Sequence, residues 1–405
     1  MNRLKIYGMM MLGAMLWLTS CTSEDATKEV APQEAIAISF GCNYDDEEED
    51  ITKNATRAGY EGAMNTEDLY TTGFGAMASV TAGTVAPYDN KPNLMYNQEV
   101  EYTHVGDMEN PLTGYWSYQP VKYWPTDLTH CYISAYAPYM DPADLAALAR
   151  LSEEDLEKET GIIGISPNTE EPYITYRRCK KPNEVVDLLW YYKKFGSNDK
   201  IPEATTTLPA GTLNMKMRHA LTRLEIKVAL KEGTVLAEGT KVLIDSITLT
   251  GTMTRTAKLI LNDETVVEGK HYPKWQALDP ADTENRTIII DNEDNNSESY
   301  GIIDAQVRYI PGMPYSWQPQ GLKVYDAEAE EGTDNGMRNA LSTGGKIGYI
   351  YLIPLGTLSL TVKVKYHKMT AGSDEVKIKT ADTPITISPF YGNIPYSLNL
   401  TLSNI

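Results

Sequence analysis

The chain has 405 residues, of which 42% are hydrophobic, and a formal net charge of −19. This length is enough for two or three domains with sizeable cores. The acidic balance, without a basic patch, argues against a nucleic-acid partner and favours solubility outside the cell.

The first residues predict a lipoprotein signal peptide over residues 1–20. Arg3 and Lys5 precede an apolar stretch over residues 6–18, which is too short to span a membrane. The letters LTSC follow at residues 18–21 and resemble the bacterial lipobox, in which the cysteine is acylated. Lipid on Cys21 would anchor the protein to the outer membrane without spanning it. The alternative is an ordinary secretion signal that contains a cysteine.

Residues 21–57 are predicted to form an acidic leader that contains one strand. TSEDATKE follows Cys21 and resembles the surface-export signal of Bacteroidetes lipoproteins, although a solvated tether is equally acidic. In AIAISF, residues 35–40, large apolar side chains alternate with small ones, which is the period of a strand. DDEEED at residues 45–50 is typical of a solvated linker, and it lacks the glycine turn of a calcium loop.

The leader ends in a segment that a protease could reach. Arg57 and Ala58 stand between the acidic stretch and a compact, tyrosine-rich region. Exposed polar segments of this kind are where proteolytic cleavage concentrates. Arg57 is therefore a candidate cleavage point, and an ordinary linker arginine is the alternative.

Residues 58–210 are predicted to form a first β-sandwich with a short helical insertion. Short strand-like runs alternate with Gly, Pro and Asn. The insertion covers residues 141–159, where Asp141 is a helix N-cap, Pro142 lies in the first turn, and Ser152 gives a second start signal. The predicted strands are LYTTGFGAMASV, LMYNQEVEYT, GYWSYQPVKYWP, THCYISAYAPY and EVVDLLWYYKK.

Residues 211–405 are predicted to form a second β-sandwich, with the boundary near residues 204–212. Its strands show the same two-residue alternation. The predicted strands are RLEIKVAL, KVLIDSITLT, AKLILN, RTIIID, GYIYLIP, LSLTVKVKY and the closing stretch from Ile394 to Leu402. We expect the closing stretch to be a native strand of this second domain, since little of the chain follows it.

A search for local chemical motifs gives no catalytic residue, metal site or cofactor site. The five histidines are scattered, and His219 is predicted to be a packed residue at a strand end. Cys42, Cys131 and Cys179 form no disulfide framework and are predicted to be small buried groups. The chain is therefore predicted not to be an enzyme, and a site assembled from distant residues is the least favoured hypothesis.

Several stretches together resemble the fimbrillin (Mfa-like) family of Bacteroidetes surface lipoproteins. They are the lipobox, ATR at 55–57, PVKYWP followed by YISAYAPY, VVDLLW, MRHALTRLEIKV and YLIPLGTLSLTVKVKY. The resemblance implies an all-β chain of two tandem transthyretin-like (Greek-key) β-sandwich domains. It also implies a subunit of type V pili, located at the outer membrane and in the fimbrium.

In the polymerising members of that family, cleavage after a basic residue removes the lipid and the first strand. A strand from another fimbrial subunit then fills the groove. The resemblance places the cleavage between Arg57 and Ala58 and makes residues 35–40 the removable strand. A strand added to the open edge of a sheet hydrogen-bonds the unpaired backbone groups of that edge. At the same time its side chains fill the apolar pockets.

The first alternative function is a surface adhesin that binds a host or bacterial surface glycan without polymerising. Aromatic side chains at Trp116, Tyr118, Tyr123 and Trp124 could supply the contact surface, and the chain has 27 Tyr against 4 Phe. The simpler explanation of these four residues is ordinary packing within a sheet.

Overall fold

The alternation of apolar and polar side chains produces strands through most of the protein. The structure is a computed structural model. It describes residues 35–44, 64, 66–80, 94–105, 114–166, 171–179, 185–231, 241–291, 300–302, 322–326, 338–339, 341–343, 346–347, 350–369 and 382–402. The all-β prediction is confirmed. Cys21, Arg57 and Ala58 lie outside the described residues.

The predicted helical insertion forms two short helices. They are α2, Pro142–Leu148, and α3, Glu153–Leu156. The Asp141 side chain accepts a hydrogen bond from the Ala143 N–H at 2.6 Å, and Ser152 Oγ accepts one from the Asp155 N–H at 3.1 Å. Both predicted N-caps are therefore confirmed.

One strand prediction was wrong in its first half. Leu69 to Thr72 belong to helix α1, Thr66–Thr72, and the strand starts only after Gly73. The Gly73 N–H donates to the Leu69 carbonyl at 3.0 Å, and Gly73 has φ of +62°. A glycine in this left-handed conformation typically ends a helix. The prediction missed this helix because the alternation of the following strand was extended back across Gly73.

The strands run from the leader to the end of the described chain. They are β1 Ser39–Tyr44, β2 Phe74–Val80, β3 Met95–His104, β4 Gly114–Ser117, β5 Cys131–Ala137, β6 Gly161–Ile165, β7 Tyr173–Arg177, β8 Leu189–Lys194, β9 Thr212–His219, β10 Thr222–Leu230, β11 Lys241–Val267, β12 Lys270–Asp291, β13 Tyr300–Ile302, β14 Leu322–Asp326, β15 Arg338–Asn339, β16 Leu341–Thr343, β17 Lys346–Ile347, β18 Ile350–Leu352, β19 Leu358–Met369, β20 Asp382–Ile387 and β21 Pro395–Leu402.

Within the described residues, the strands assemble into three sheets. The first has seven strands in the order β1-β9-β8-β5-β2-β3-β4. The second has the order β15-β10-β18, with β21 also paired to β10. The third has the order β17-β16-β13-β12-β11-β19-β20, with β14 and β7 paired to β11 and β6 paired to β7.

Sheet membership crosses the predicted boundary near residue 210 in both directions. Strand β9 belongs to the seven-stranded sheet, whereas β6 and β7 join the ten-stranded sheet through β11. The Arg178 guanidinium forms a buried ion pair with the Glu284 carboxylate beside this junction. The division into domains at 58–210 and 211–405 stays a prediction.

Three apolar clusters hold the sheets together. We call them the first core, which includes the leader residues Ile38 and Phe40, the second core, which includes Leu398 and Leu400, and the junction core. Strand β2 supplies Ala76 to the first core and Met77 to the junction core. The seven-stranded sheet is therefore covered on both faces, and this explains why β2 and β5 are buried almost throughout.

The closing strand, β21, is integrated into the second core. It pairs in parallel with β10 from Arg223↔Pro395 to Leu230↔Leu402. Leu398 and Leu400 face inward, and Ser397, Asn399 and Thr401 alternate with them on the exposed face. The prediction that this stretch is a native strand is confirmed.

Candidate functional site: the groove of the leader strand

The leader residues 36–44, called here the leader strand, occupy a groove at the edge of the seven-stranded sheet. From Ser39 to Tyr44 the strand pairs in parallel with β9, in the register Ser39↔Thr212 to Tyr44↔Met217. The strand predicted for residues 35–40 therefore exists, but its regular pairing lies farther along the chain, at residues 39–44.

The first three residues of the leader strand pair with a different partner. The Ile38 N–H donates to the Lys122 carbonyl at 2.8 Å, and the Trp124 N–H donates to the Ile36 carbonyl at 2.9 Å. Ala37 and Tyr123 form the antiparallel bridge between them. The leader strand thus joins β9 at one end of the sheet to the segment that follows β4 at the other end.

Side chains of the leader strand fill the first core. Ile38, Phe40 and Cys42 are 1%, 5% and 2% exposed, and they share one parity. The Phe40 ring lies edge-on to Phe74, with centroids 5.5 Å apart, and 5.6 Å from Tyr118. Full burial of side chains such as Ile and Phe contributes about 1.5–3 kcal/mol each. The strand is therefore an integral part of the core while it is present.

Polar groups of the groove fix the backbone of the leader strand. The Tyr118 hydroxyl donates to the Ile38 carbonyl at 2.8 Å. The Gly211 carbonyl accepts from Trp124 Nε1–H at 2.8 Å and from the Ser39 N–H at 3.1 Å. Burial raises the pKa of Tyr118, so its hydroxyl stays protonated and able to donate.

Gly211 permits the close approach of the leader strand. Its φ is +83°, and a Cβ at this position would lie 2.2 Å from the Ala37 carbonyl oxygen. No other residue fits both the backbone conformation and this space. No local pattern in the sequence indicates this role, because the contact joins residues that are far apart in the chain.

The three described cysteines are free and buried, as predicted. Burial raises the pKa of the Cys42 thiol and raises that of Cys131 to about 11. Thiolate is the reactive form of cysteine, so these protonated thiols act as small apolar groups.

Asp187 anchors the backbone at Met64, just before helix α1. Asp187 Oδ2 accepts from the Met64 N–H at 3.0 Å and lies 2.6 Å from His219 Nδ1, while Oδ1 accepts from the Leu188 N–H at 2.8 Å. Burial raises the pKa of Asp187, but His219 and the hydrogen bonds lower it further, below its usual range. His219 is buried at the end of β9, as predicted.

The four aromatic residues considered for an adhesin surface have separate environments. Trp124 is 6% exposed and packs against Phe195, whereas Tyr123 is 52% exposed. Trp116 and Tyr118 are partly buried against the first core. Three of the four therefore line the leader-strand groove and its core.

The described residues contain no group of three or more His, Cys, Asp or Glu side chains arranged to hold a metal ion. Within the same ranges, every helix is too short or too polar to cross a bilayer.

The fold and the groove define an all-β protein whose first sheet is completed by a strand from its own leader. The chain belongs to the fimbrillin-like family, whose model matches residues 56–317. No curated protein sequence matches the chain.

Comparison with solved structures gives three matches of low sequence identity, and the first of them shares the fold. A fimbrial protein from Bacteroides vulgatus is 17% identical, with 90% of this chain and 95% of that chain covered and a TM-score of 0.50. A putative cell adhesion protein from Bacteroides uniformis is 12% identical, with 91% and 93% covered and a TM-score of 0.32. The tip fimbrial protein Mfa3 from Porphyromonas gingivalis is 9% identical, with 74% and 94% covered and a TM-score of 0.23.

Proposed function

We propose that the protein is a fimbrial subunit that reaches the cell surface as a lipoprotein and assembles by strand exchange after its leader is cut. Membership of the fimbrillin-like family supports a fimbrial or adhesive role at the cell surface and not an enzymatic one. The observation that carries the proposal is the leader strand itself, an edge strand whose side chains fill the first core.

The position of the leader strand explains what cleavage would achieve. Arg57 and Ala58 lie in the sequence between Tyr44, the last residue of β1, and Met64. A cut there would leave the leader strand held only by non-covalent contacts. Its loss would expose the edge of β9 and the apolar side chains beneath Phe40. An open edge above an apolar slot favours pairing with a strand from another chain.

The proposed contact is head-to-tail, because the groove of one subunit takes a strand from the next. Such a contact does not close on itself and produces an open filament. Lipid on Cys21 would hold the precursor at the outer membrane until cleavage removes the leader. The partners are thus other fimbrial subunits and, before processing, membrane lipid.

The test is to determine the mature N-terminus on native cells by mass spectrometry, together with SDS-resistant polymer ladders. We expect chains that begin at Ala58 and form ladders. Arg57→Ala should keep the leader and abolish the ladders, whereas the matched linker variant Lys53→Ala should behave as wild type. Chains that always begin at a lipidated Cys21 would argue against strand exchange.

Lipidation is tested separately from cleavage. Cys21→Ser should prevent incorporation of a clickable palmitate analogue and release the precursor from the membrane fraction, whereas Cys42→Ser should still be labelled. Labelling that persists in Cys21→Ser would contradict the lipid anchor.

A second candidate function is an adhesin that binds a surface glycan. Its support is the name of several structural neighbours, which are putative cell adhesion proteins, and the exposure of Tyr115 and Tyr123 at 56% and 52%. Binding on a glycan array that is lost in Tyr123→Ala but retained in Tyr173→Ala would support this function. An absence of binding would count against it.

A further inference from the structure

We propose that the leader-strand groove selects its incoming strand by a defined side-chain pattern, and that this pattern excludes the closing strand of a second copy of this chain. This inference rests on the proposed strand exchange. The positions of the incoming strand are numbered by the leader residues that it replaces. It needs apolar side chains at positions 36 and 38, a backbone N–H at 39, an aromatic ring at 40 and a small side chain at 42. Since the proposed cleavage removes residues 36–44 from each copy that polymerises, the occupant is a strand from a subunit of different sequence.

The aromatic requirement comes from the ring contacts of Phe40. Its neighbours Phe74 and Tyr118 approach at 5.5 and 5.6 Å between centroids, and Phe74 is fully buried. The Tyr118 hydroxyl is already held by the Ile38 carbonyl. An aliphatic side chain in this pocket would lose the edge-to-face geometry and leave unfilled space.

The N–H requirement comes from Gly211. Its carbonyl accepts from the Ser39 N–H at 3.1 Å, at the point where the strand changes from pairing with Lys122 and Trp124 to pairing with β9. Proline has no N–H and would break this contact. The groove therefore excludes proline immediately before the aromatic position.

The small-residue requirement comes from the position of Cys42. The thiol is 2% exposed and lies within the first core. A leucine at this position would add side-chain atoms to a core that is already filled, and such overpacking is destabilising.

The closing strand fails this pattern in each register that places an apolar residue at position 40. With Tyr396 at position 40, Pro395 falls at position 39 and Leu398 at position 42. With Ile394, Leu398, Leu400 or Leu402 at position 40, the aromatic ring is lost. The strand is also paired over its full length with β10 in its own molecule.

The experiment uses the uncut precursor chain, in which the Arg57–Ala58 bond is replaced by a site for a sequence-specific protease. After cleavage, a fluorescent synthetic peptide of residues 35–44 is added in excess, and its incorporation is followed by anisotropy and native mass spectrometry. The competitors are the same peptide with Phe40→Ala, Ser39→Pro or Ser39→Ala, and a peptide of residues 391–402.

We expect the wild-type peptide to replace the cut leader. Phe40→Ala should compete at least about a hundredfold more weakly, because large core truncations remove several kilocalories of burial. Ser39→Pro should compete at least about tenfold more weakly through the lost hydrogen bond and ladder geometry. Ser39→Ala, the control that keeps the N–H, should stay within about twofold of wild type. The 391–402 peptide should not compete.

The two possible failures give different results. If the cut leader never leaves and no peptide is incorporated, the strand-exchange proposal is wrong and this inference falls with it. If the wild-type peptide enters but Phe40→Ala or the 391–402 peptide competes equally well, strand exchange stands and the selection pattern is overturned.

Discussion

The leader strand and the closing strand are both held in parallel at the edge of a sheet, but different contacts hold them. The leader strand buries Ile38, Phe40 and Cys42 at 1%, 5% and 2% exposure, whereas Leu398 and Leu400 of the closing strand are 8% and 9% exposed. The leader therefore depends more on its side-chain pockets than the closing strand does.

Hydrogen bonds anchor the closing strand at both of its ends. The Thr222 hydroxyl donates to the Ile394 carbonyl at 2.6 Å, and the Lys231 N–H donates to the Leu402 carbonyl at 2.8 Å. A strand tied at both ends to its own β10 is part of its domain. The leader strand is held by side-chain pockets and is followed by the segment for which we propose cleavage, so it resembles a bound ligand. The following variants test this distinction, from the largest expected effect to the smallest.

Asp187→Asn should have the largest effect, because this residue connects both regions. Asp187 holds Met64 and His219, and the His219 N–H donates to Asn393 Oδ1 at 3.1 Å, just before the closing strand. The Asn side chain has a single accepting oxygen, so contacts made by the second carboxylate oxygen are lost. Each hydrogen bond to a charged group contributes about 1.5–3 kcal/mol. Urea unfolding should show this loss, and hydrogen exchange should increase at residues 393–402. The exposed control Asp144→Asn should change little.

The same variant also tests how the free energy of unfolding depends on pH. The folded-state pKa of Asp187 is lowered, so its contribution to stability is present above the unfolded-state pKa of about 3.9 and is lost as the pH falls through the folded value. The free energy of unfolding of wild type should therefore fall below about pH 4. Asp187→Asn should lack this component, and an identical acid profile would contradict the assignment.

Phe40→Ala and Leu400→Ala compare the two strands directly. Phe40→Ala should destabilise the protein by about 3–5 kcal/mol and Leu400→Ala by about 2–4 kcal/mol, because each leaves a cavity in its core. After cleavage between Arg57 and Ala58, only Phe40→Ala should speed release of the leader, measured by size-exclusion chromatography. Equal release from both variants would remove the distinction between the strands.

Gly211→Ala tests the close approach beneath the leader strand. A Cβ there would meet the Ala37 carbonyl at 2.2 Å, whereas Gly269 has a similar φ of +78° and nothing within 4 Å. Gly269→Ala therefore measures the conformational cost alone, about 1–2 kcal/mol. Gly211→Ala should cost about 2 kcal/mol more and should increase hydrogen exchange at residues 36–44. Equal losses would show that the leader strand adapts to the added methyl group.

Ser397→Ala should have the smallest effect. The Ser397 hydroxyl donates to the Glu225 carboxylate across the β10–β21 pair. One such hydrogen bond contributes about 1 kcal/mol. The neighbouring exposed variant Asn399→Ala serves as its control in thermal unfolding. A larger loss in Ser397→Ala than in Leu400→Ala would show that polar anchors, and not the core, hold the closing strand.

The sequence predicted which side chains of a strand point to the same face better than it predicted which strands pair with each other. Alternation placed Ile38 and Phe40 on one face and Leu398 and Leu400 on one face, and the structure agrees. The parallel pairing of β1 with β9 joins residues that are far apart in the chain, so no local pattern encodes it. For the same reason the roles of Gly211 and Asp187 could not be predicted.

Strand boundaries were predicted less well. KVLIDSITLT and AKLILN belong to the single strand β11, because irregular positions near Thr254 and Thr256 let it continue past a break in the alternation. Strands β6 and β7 were not predicted, since each has only five residues, which is too short for a clear alternation. The aromatic segment from Trp116 to Trp124 could not be assigned to a surface or a core without the leader strand in place.

The order of β9 and β10 has a mechanical consequence. β9 ends at His219, β10 begins at Thr222, and each has a parallel partner at the edge of its sheet, β1 and β21 respectively. An occupant of the groove that is pulled along its own axis loads all its hydrogen bonds to β9 in shear, so they must break together and not one after another. Tension entering through the groove then passes along one continuous backbone into the second core. In the fimbrial assembly that we propose, this arrangement would pass tension from one subunit to the next.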